Sequence, residues 1–172
     1  MPQDARDQTH VLTDPPAHLL AAPGRLDYYD CQAVLLPEPV TPLQAWNMIR
    51  ARPQPVLKLA FRIRDAISAR FGVKRIGGFG QAPAANVQPG DRLDFFLVEH
   101  AAPDMLVLTE RDRHLDVMTC IATRGAELAV ISSVITHNRF GRAYMLVVGP
   151  AHRLIVRVML RRLQRQMPGA GG

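Results

Sequence analysis

The sequence predicts an α+β domain: one early strand, two short helices after it, a curved antiparallel sheet, and a long C-terminal helix packed on that sheet. Three observations carry this prediction. A run of short alternating segments between Arg92 and His137 is broken by compact turns, as in a meander of antiparallel strands. Before it, two stretches change to helical spacing. After it, apolar residues recur at threes and fours to the end of the chain.

Taken in order, residues 1–24 mix proline, alanine and charge, and read as a loosely held arm. The stretch "LDYYDCQAVLLP" (Leu26–Pro37) is aromatic and aliphatic and stops at proline, which predicts the first strand. In "TPLQAWNMIRA", Thr41 is placed to cap a helix, with Pro42 at its first position and Leu43, Trp46 and Ile49 at helical spacing. "VLKLAFRIRDAISARFG" (Val56–Gly72) predicts a second helix that stops at Gly72. "GGFGQAPAANVQPG" (Gly77–Gly90) lacks the glycine spacing of a phosphate loop and reads as a connector.

Four strands follow: "RLDFFLVEH", "DMLVLTERD", "HLDVMTCIAT" and "ELAVISSVITH". If Gly125-Ala126 is a two-residue hairpin, with Gly125 at positive φ, then Arg124 faces Glu127 and His114 falls opposite His137. Beyond His137, Tyr144, Val147, Val148, Ala151, Leu154, Ile155, Val158 and Leu163 form an apolar stripe, with Arg153, Arg157, Arg161 and Arg165 at strict fours on the other side. Pro150 predicts a kink or break beside Gly149, with helix on both sides. The domain thus spans residues 25–167, with 168–172 as a flexible tail.

The totals exclude several classes. With 172 residues and 48% apolar content, the chain can bury a core and is not a disordered polymer. The start shows no secretory leader, and no apolar run approaches the ~18–20 residues of a membrane span. Cys31 and Cys120 read as two reduced thiols, which points to the cytoplasm. The net charge is +6, and seven arginines with no acid follow His137. Such a segment suits an anionic partner or a solvated helix face. No zinc-finger spacing, RNA-binding aromatic signature or helix-turn-helix accompanies it, so nucleic acid is not expected. A nucleophile elbow and a phosphate loop are also missing.

Three stretches, "LDYYD", "ERDRHLDV" and "HNRFGRAYMLVVGPAHRLIV", resemble a bacterial family of unknown function within the START-like (SRPBCC, helix-grip) superfamily; the resemblance covers about Leu26 to Arg162. It implies a sheet wrapped on the last helix with an apolar cavity between them. It implies no particular chemistry, because lipid carriers, hormone binders, cyclases and hydrolases share that fold.

Candidate site residues follow from the strand register and the resemblance together. His114, Asp116 and His137 converge at one end of the sheet, where a His-Asp pair can act as general acid or base without a cofactor. The same three can hold a metal in principle, but a polar network that satisfies the strand end and the helix start explains them more simply. The sheet face of Met118, Cys120 and Ile135 is small and soft, and is expected to line the cavity. Tyr28 and Asp30 on the first strand, Asn138 at the helix start, and Tyr144, Val148 and His152 on the helix complete the expected lining. The function expected is binding of a hydrophobic or amphipathic small molecule between sheet and helix. The alternatives are a cyclase, dehydratase or isomerase using the His-Asp group, and an interaction module that uses the arginine face or forms a homodimer through the sheet.

Overall fold

The computed structural model describes residues 18–51 and 82–167. A six-stranded antiparallel sheet has the order β1-β6-β5-β4-β3-β2. Its strands are β1 (Tyr28–Leu35), β2 (Arg92–Leu93), β3 (Phe96–Ala102), β4 (Met105–Arg111), β5 (Leu115–Arg124) and β6 (Glu127–Thr136). Among the described residues, two α-helices accompany the sheet, α1 (Pro42–Arg50) and α2 (Arg139–Gln166). The second expected helix, Val56–Gly72, lies outside the described residues.

Helix α1 starts as its sequence dictates. The Thr41 hydroxyl accepts from Gln44 N–H, and the Gln44 side chain accepts from Thr41 N–H, a complete capping box with proline at the first position. Trp46 and Ile49 are buried and Leu43 packs beside them. Asn47 clasps the backbone of Ala84 in both directions, which fixes the irregular chain of residues 82–90 against α1.

The β5–β6 register is the one the hairpin argument requires: Arg124 pairs with Glu127 and Leu115 with Thr136. Positive φ occurs at Gly125 (+59°) and not at Ala126, the signature of a II′ turn. "RLDFFLVEH" differs from the expectation of one strand. Asp94 takes φ +59° and turns the chain, leaving a two-residue β2 hairpinned to β3. Asp is one of the few residue types that enter this left-handed region readily.

The sheet has two buried faces. Leu106, Leu108, Ile121, Leu128 and Val130 face α1 and α2, and meet Val156, Leu160 and Leu163 of α2. Met105, Val107, Met118, Cys120, Ala122, Ala129 and Ile131 form the second face, packed by Leu19 and Leu20 of the N-terminal segment. This corrects the assignment of the cavity face. Met118 and Cys120, with Ile135 on the same side of β6, point away from α2. Both faces are apolar, so a period of two cannot choose between them. The cover tells them apart: α1 and α2 lie on one face, and Leu19 and Leu20 on the other. The Leu20 N–H donates to Ser133 Oγ, and the His18 ring stacks on His100.

Both thiols are free. Cys31 and Cys120 flank Ile131 from the two neighbouring strands, which sets their Cα atoms two strand spacings apart, about 9–10 Å. A disulfide cannot span that distance.

Helix α2 runs unbroken through Gly149 and Pro150, so helix is present on both sides as expected but without a break. Pro150 cannot serve the Leu146 carbonyl. Leu146 and Pro150 both lie exposed, away from the core. The helix changes character along its length. Its second half buries Val156, Leu160 and Leu163; its first half buries only Gly141 and Gly149. By length and composition α2 is also apolar enough to cross a membrane, contrary to the expectation that no segment is.

Candidate functional site

The expected constellation divides into two sets. At the outer end of the sheet, His137 Nε2 lies 3.0 Å from Asp116 Oδ1, and Asp116 Oδ2 is 3.9 Å from Arg111 Nε. Arg111 also holds Glu99 at 2.6 Å, and Glu99 accepts from the Thr109 hydroxyl at 2.9 Å. These groups form a half-exposed chain of alternating charge on the face away from α2.

His114 is not part of this chain. It precedes β5, so strand alternation does not govern its side chain. Its ring packs on Phe140, and its Nδ1 sits 3.2 Å from Asn138 Oδ1. Arg113 Nε–H donates to His114 Nε2 at 2.9 Å, and the Asn138 amide nitrogen also lies 3.0 Å from His114 Nδ1. Asn138 is the helix N-cap: its Oδ1 accepts from Gly141 N–H at 3.0 Å, and its Nδ2 donates to the Arg113 carbonyl. Both His114 nitrogens are thereby engaged in joining the β5 entry to the start of α2. Among the described residues, no group of three or more His, Cys, Asp or Glu is placed to hold a metal ion.

A second polar cluster lies where α2 crosses the edge strand β1. Tyr28, Asp30 and Gln32 alternate onto the helix face of β1. Asp30 is only 8% exposed; one carboxylate oxygen accepts from Arg153 Nε at 2.9 Å and the other from Gln32 Nε2 at 2.6 Å. Gln32 Nε2 also donates to the Arg153 carbonyl. The Tyr28 hydroxyl donates to the Gly149 carbonyl at 3.1 Å, and Arg153 lies over the Tyr28 ring. Gly149 makes this approach possible, because a Cβ there would meet the Tyr28 ring at 3.0 Å. Next to these, Asp30, Ser132 and Thr119 form a buried polar row across β1, β6 and β5.

His152 closes the cluster. Its ring meets Tyr28 edge to face at 6.1 Å, and its Nδ1 is buried with no hydrogen-bond partner among the described residues. Burial holds its pKa below the ordinary 6.5, with Asp30 pulling it up and Arg153 pushing it down. Burial likewise raises the Tyr28 phenol, and the hydrogen bond to Asp30 raises the Arg153 guanidinium. The folded state therefore holds His152 neutral, while the unfolded chain binds a proton near 6.5. Its contribution to stability is complete above that pH and is lost as pH falls through the lower, folded value. Chemical denaturation of wild type should show this loss below about pH 6.5, and His152→Leu should remove part of it. An unchanged acid profile in His152→Leu would contradict the assignment.

Of the expected lining, Tyr28, Asp30 and His152 meet in this seam. Tyr144 and Val148 are half-buried on the same half of α2, with Tyr144 stacked on Phe140. Asn138 belongs to the helix cap, and Met118, Cys120 and Ile135 to the other sheet face. Gln32, Arg153, Ser132 and Thr119 do not stand out as site residues in the sequence. The alternation of Tyr28, Asp30 and Gln32 is the available signal for Gln32; nothing sets Arg153 apart from the other arginines.

The long helix laid on an antiparallel sheet, with a polar seam under its first half, defines a helix-grip-like α+β protein. The chain belongs to a family of proteins of unknown function, DUF2867, whose family model matches residues 22–159. No curated protein and no solved structure matches it.

Proposed function

We propose that the protein binds an amphipathic small molecule in the seam between β1 and the first half of α2, as a distant member of the START-like group. The carrying observation is His152 Nδ1, a buried polar atom without a partner among the described residues. Such atoms are rare in folded proteins because each forgoes a hydrogen bond with water. A ligand head supplies the missing bond. Held neutral, His152 attracts no anion, and the nearby Asp30 carboxylate repels one, so the head is an uncharged hydroxyl or carbonyl. The apolar body lies against Tyr144 and Val148. Entry is through the first half of α2, which buries no apolar side chain and is held by glycine contacts and the Tyr28 and Asp30 bonds.

Calorimetric titration with 1-decanol, decane and decanoate checks this. The expected order is decanol tightest, and His152→Leu should weaken decanol by about tenfold, the loss of one buried hydrogen bond. Equal binding of all three probes, or decanol binding indifferent to His152→Leu, would overturn the reading.

A further inference from the structure

We infer that the outer face of α2 between Ala143 and Leu154 docks on an anionic phospholipid bilayer. That face carries Leu146, Val147 and Leu154, exposed at 79%, 64% and 56%. Ala143, Pro150 and Ala151 lie exposed beside them. At about 100° per residue these six fall within one arc of about 140°, which borders the buried stripe of Gly149, Val156 and Leu160 at Leu146, and span about 16 Å along its axis. The patch is bounded at both ends by charge of one sign. Exposed Arg139 and Arg142 precede it; exposed Arg157, Arg162 and Arg165 follow it. No acid occurs on α2 to neutralise them.

An apolar window between cationic ends fits the edge of a bilayer. The aliphatic side chains enter the acyl boundary while the long arginines reach the phosphates on either side. A second copy of this chain fits worse. Antiparallel contact through this face would set the arginines of one helix end against those of the other, with no carboxylate on either helix to separate them. The helix lies in the plane of such a surface rather than across it. Its buried side is committed to the sheet through Val156, Leu160 and Leu163 and through the Tyr28–Gly149 and Asp30–Arg153 bonds.

The test is co-sedimentation of the full chain with vesicles of pure phosphatidylcholine and with vesicles of equal parts phosphatidylcholine and phosphatidylglycerol. Wild type should pellet with the anionic vesicles, weakly with the neutral ones, and less as salt rises. The triple variant Leu146→Ser/Val147→Ser/Leu154→Ser touches only exposed positions and should weaken binding by at least about tenfold. Arg139→Gln/Arg157→Gln should weaken it by a similar factor and flatten the salt dependence. Circular dichroism of both variants should match wild type, and their decanol binding should stay unchanged, since neither alters the β1 seam. No pelleting of wild type with anionic vesicles would overturn the inference. So would pelleting indifferent to the serine variant, or a serine variant whose only effect is to turn a dimer into a monomer.

Discussion

Arg50→Met is expected to lower the unfolding free energy by about 3–5 kcal/mol, the usual cost of removing one partner from a buried ion pair. Arg50 ends α1, and its guanidinium meets Asp94 at 2.8 Å with side chains only 6% and 1% exposed. Asp94 is the residue that turns β2 into β3 through positive φ. The pair therefore ties α1 to the turn at the far edge of the sheet. Methionine fills much of the volume and withdraws the Arg50 charge from the buried Asp94 carboxylate. The double variant Arg50→Met/Asp94→Asn should recover part of the loss, because asparagine tolerates the left-handed turn and needs no counter-charge. Urea denaturation of wild type and both variants reads this out. A cost for Arg50→Met below about 1 kcal/mol, as for an exposed pair, would contradict it.

Gly141→Ala is expected to destabilise the fold by about 1–3 kcal/mol, the range for forcing extra volume into a packed site. The sign is the informative part, because alanine in place of glycine inside a helix ordinarily stabilises it by up to about 1 kcal/mol. Here the added Cβ would run into the backbone carbonyl of His114. That carbonyl cannot move aside, since it accepts from the His137 N–H at 2.8 Å and closes the β5–β6 ladder. Gly141 thus lets α2 start directly on the strand end, with Asn138 capping from the other side. Gly24, where an added Cβ would have no neighbour within 4 Å, is the control, and Gly24→Ala should be close to neutral. Thermal unfolding compares the two. A more stable Gly141→Ala protein would show that the helix start is looser than described.

Where local chemistry decides an element, it was legible in the sequence. Thr41, Pro42 and Gln44 write the start of α1, Gly125 writes the hairpin and so the whole β5–β6 register, and Asn138 writes the start of α2. What escaped was decided by tertiary contact. Asp94 looks like one more residue of an alternating strand until Arg50 is seen beside it. The helix-bearing face of the sheet is ambiguous in the sequence because β5 and β6 are apolar on both sides, and only the cover on each side tells them apart. Grouping His114 with Asp116 extends strand alternation one residue past the point where the strand begins.

The site shows the same division. Tyr28, Asp30 and His152 stand out in separate stretches, but their meeting depends on α2 crossing the edge strand β1, which no periodicity encodes. Arg153 is one of seven similar arginines until its distance from Asp30 is known. Gly149-Pro150, which reads as a helix breaker, instead lies inside a continuous helix whose buried aliphatics begin only at Val156.

If the seam under the first half of α2 holds a small molecule by its uncharged head at His152, that molecule should travel with the protein. Native mass spectrometry of freshly purified protein, followed by organic extraction, tests this most directly. One amphipathic molecule per chain is expected to copurify, to be released on denaturation and to be largely lost from His152→Leu. A bare polypeptide mass in every wild-type preparation, with no change in the amide resonances of Gly149 to Arg153 on adding 1-decanol, would contradict it.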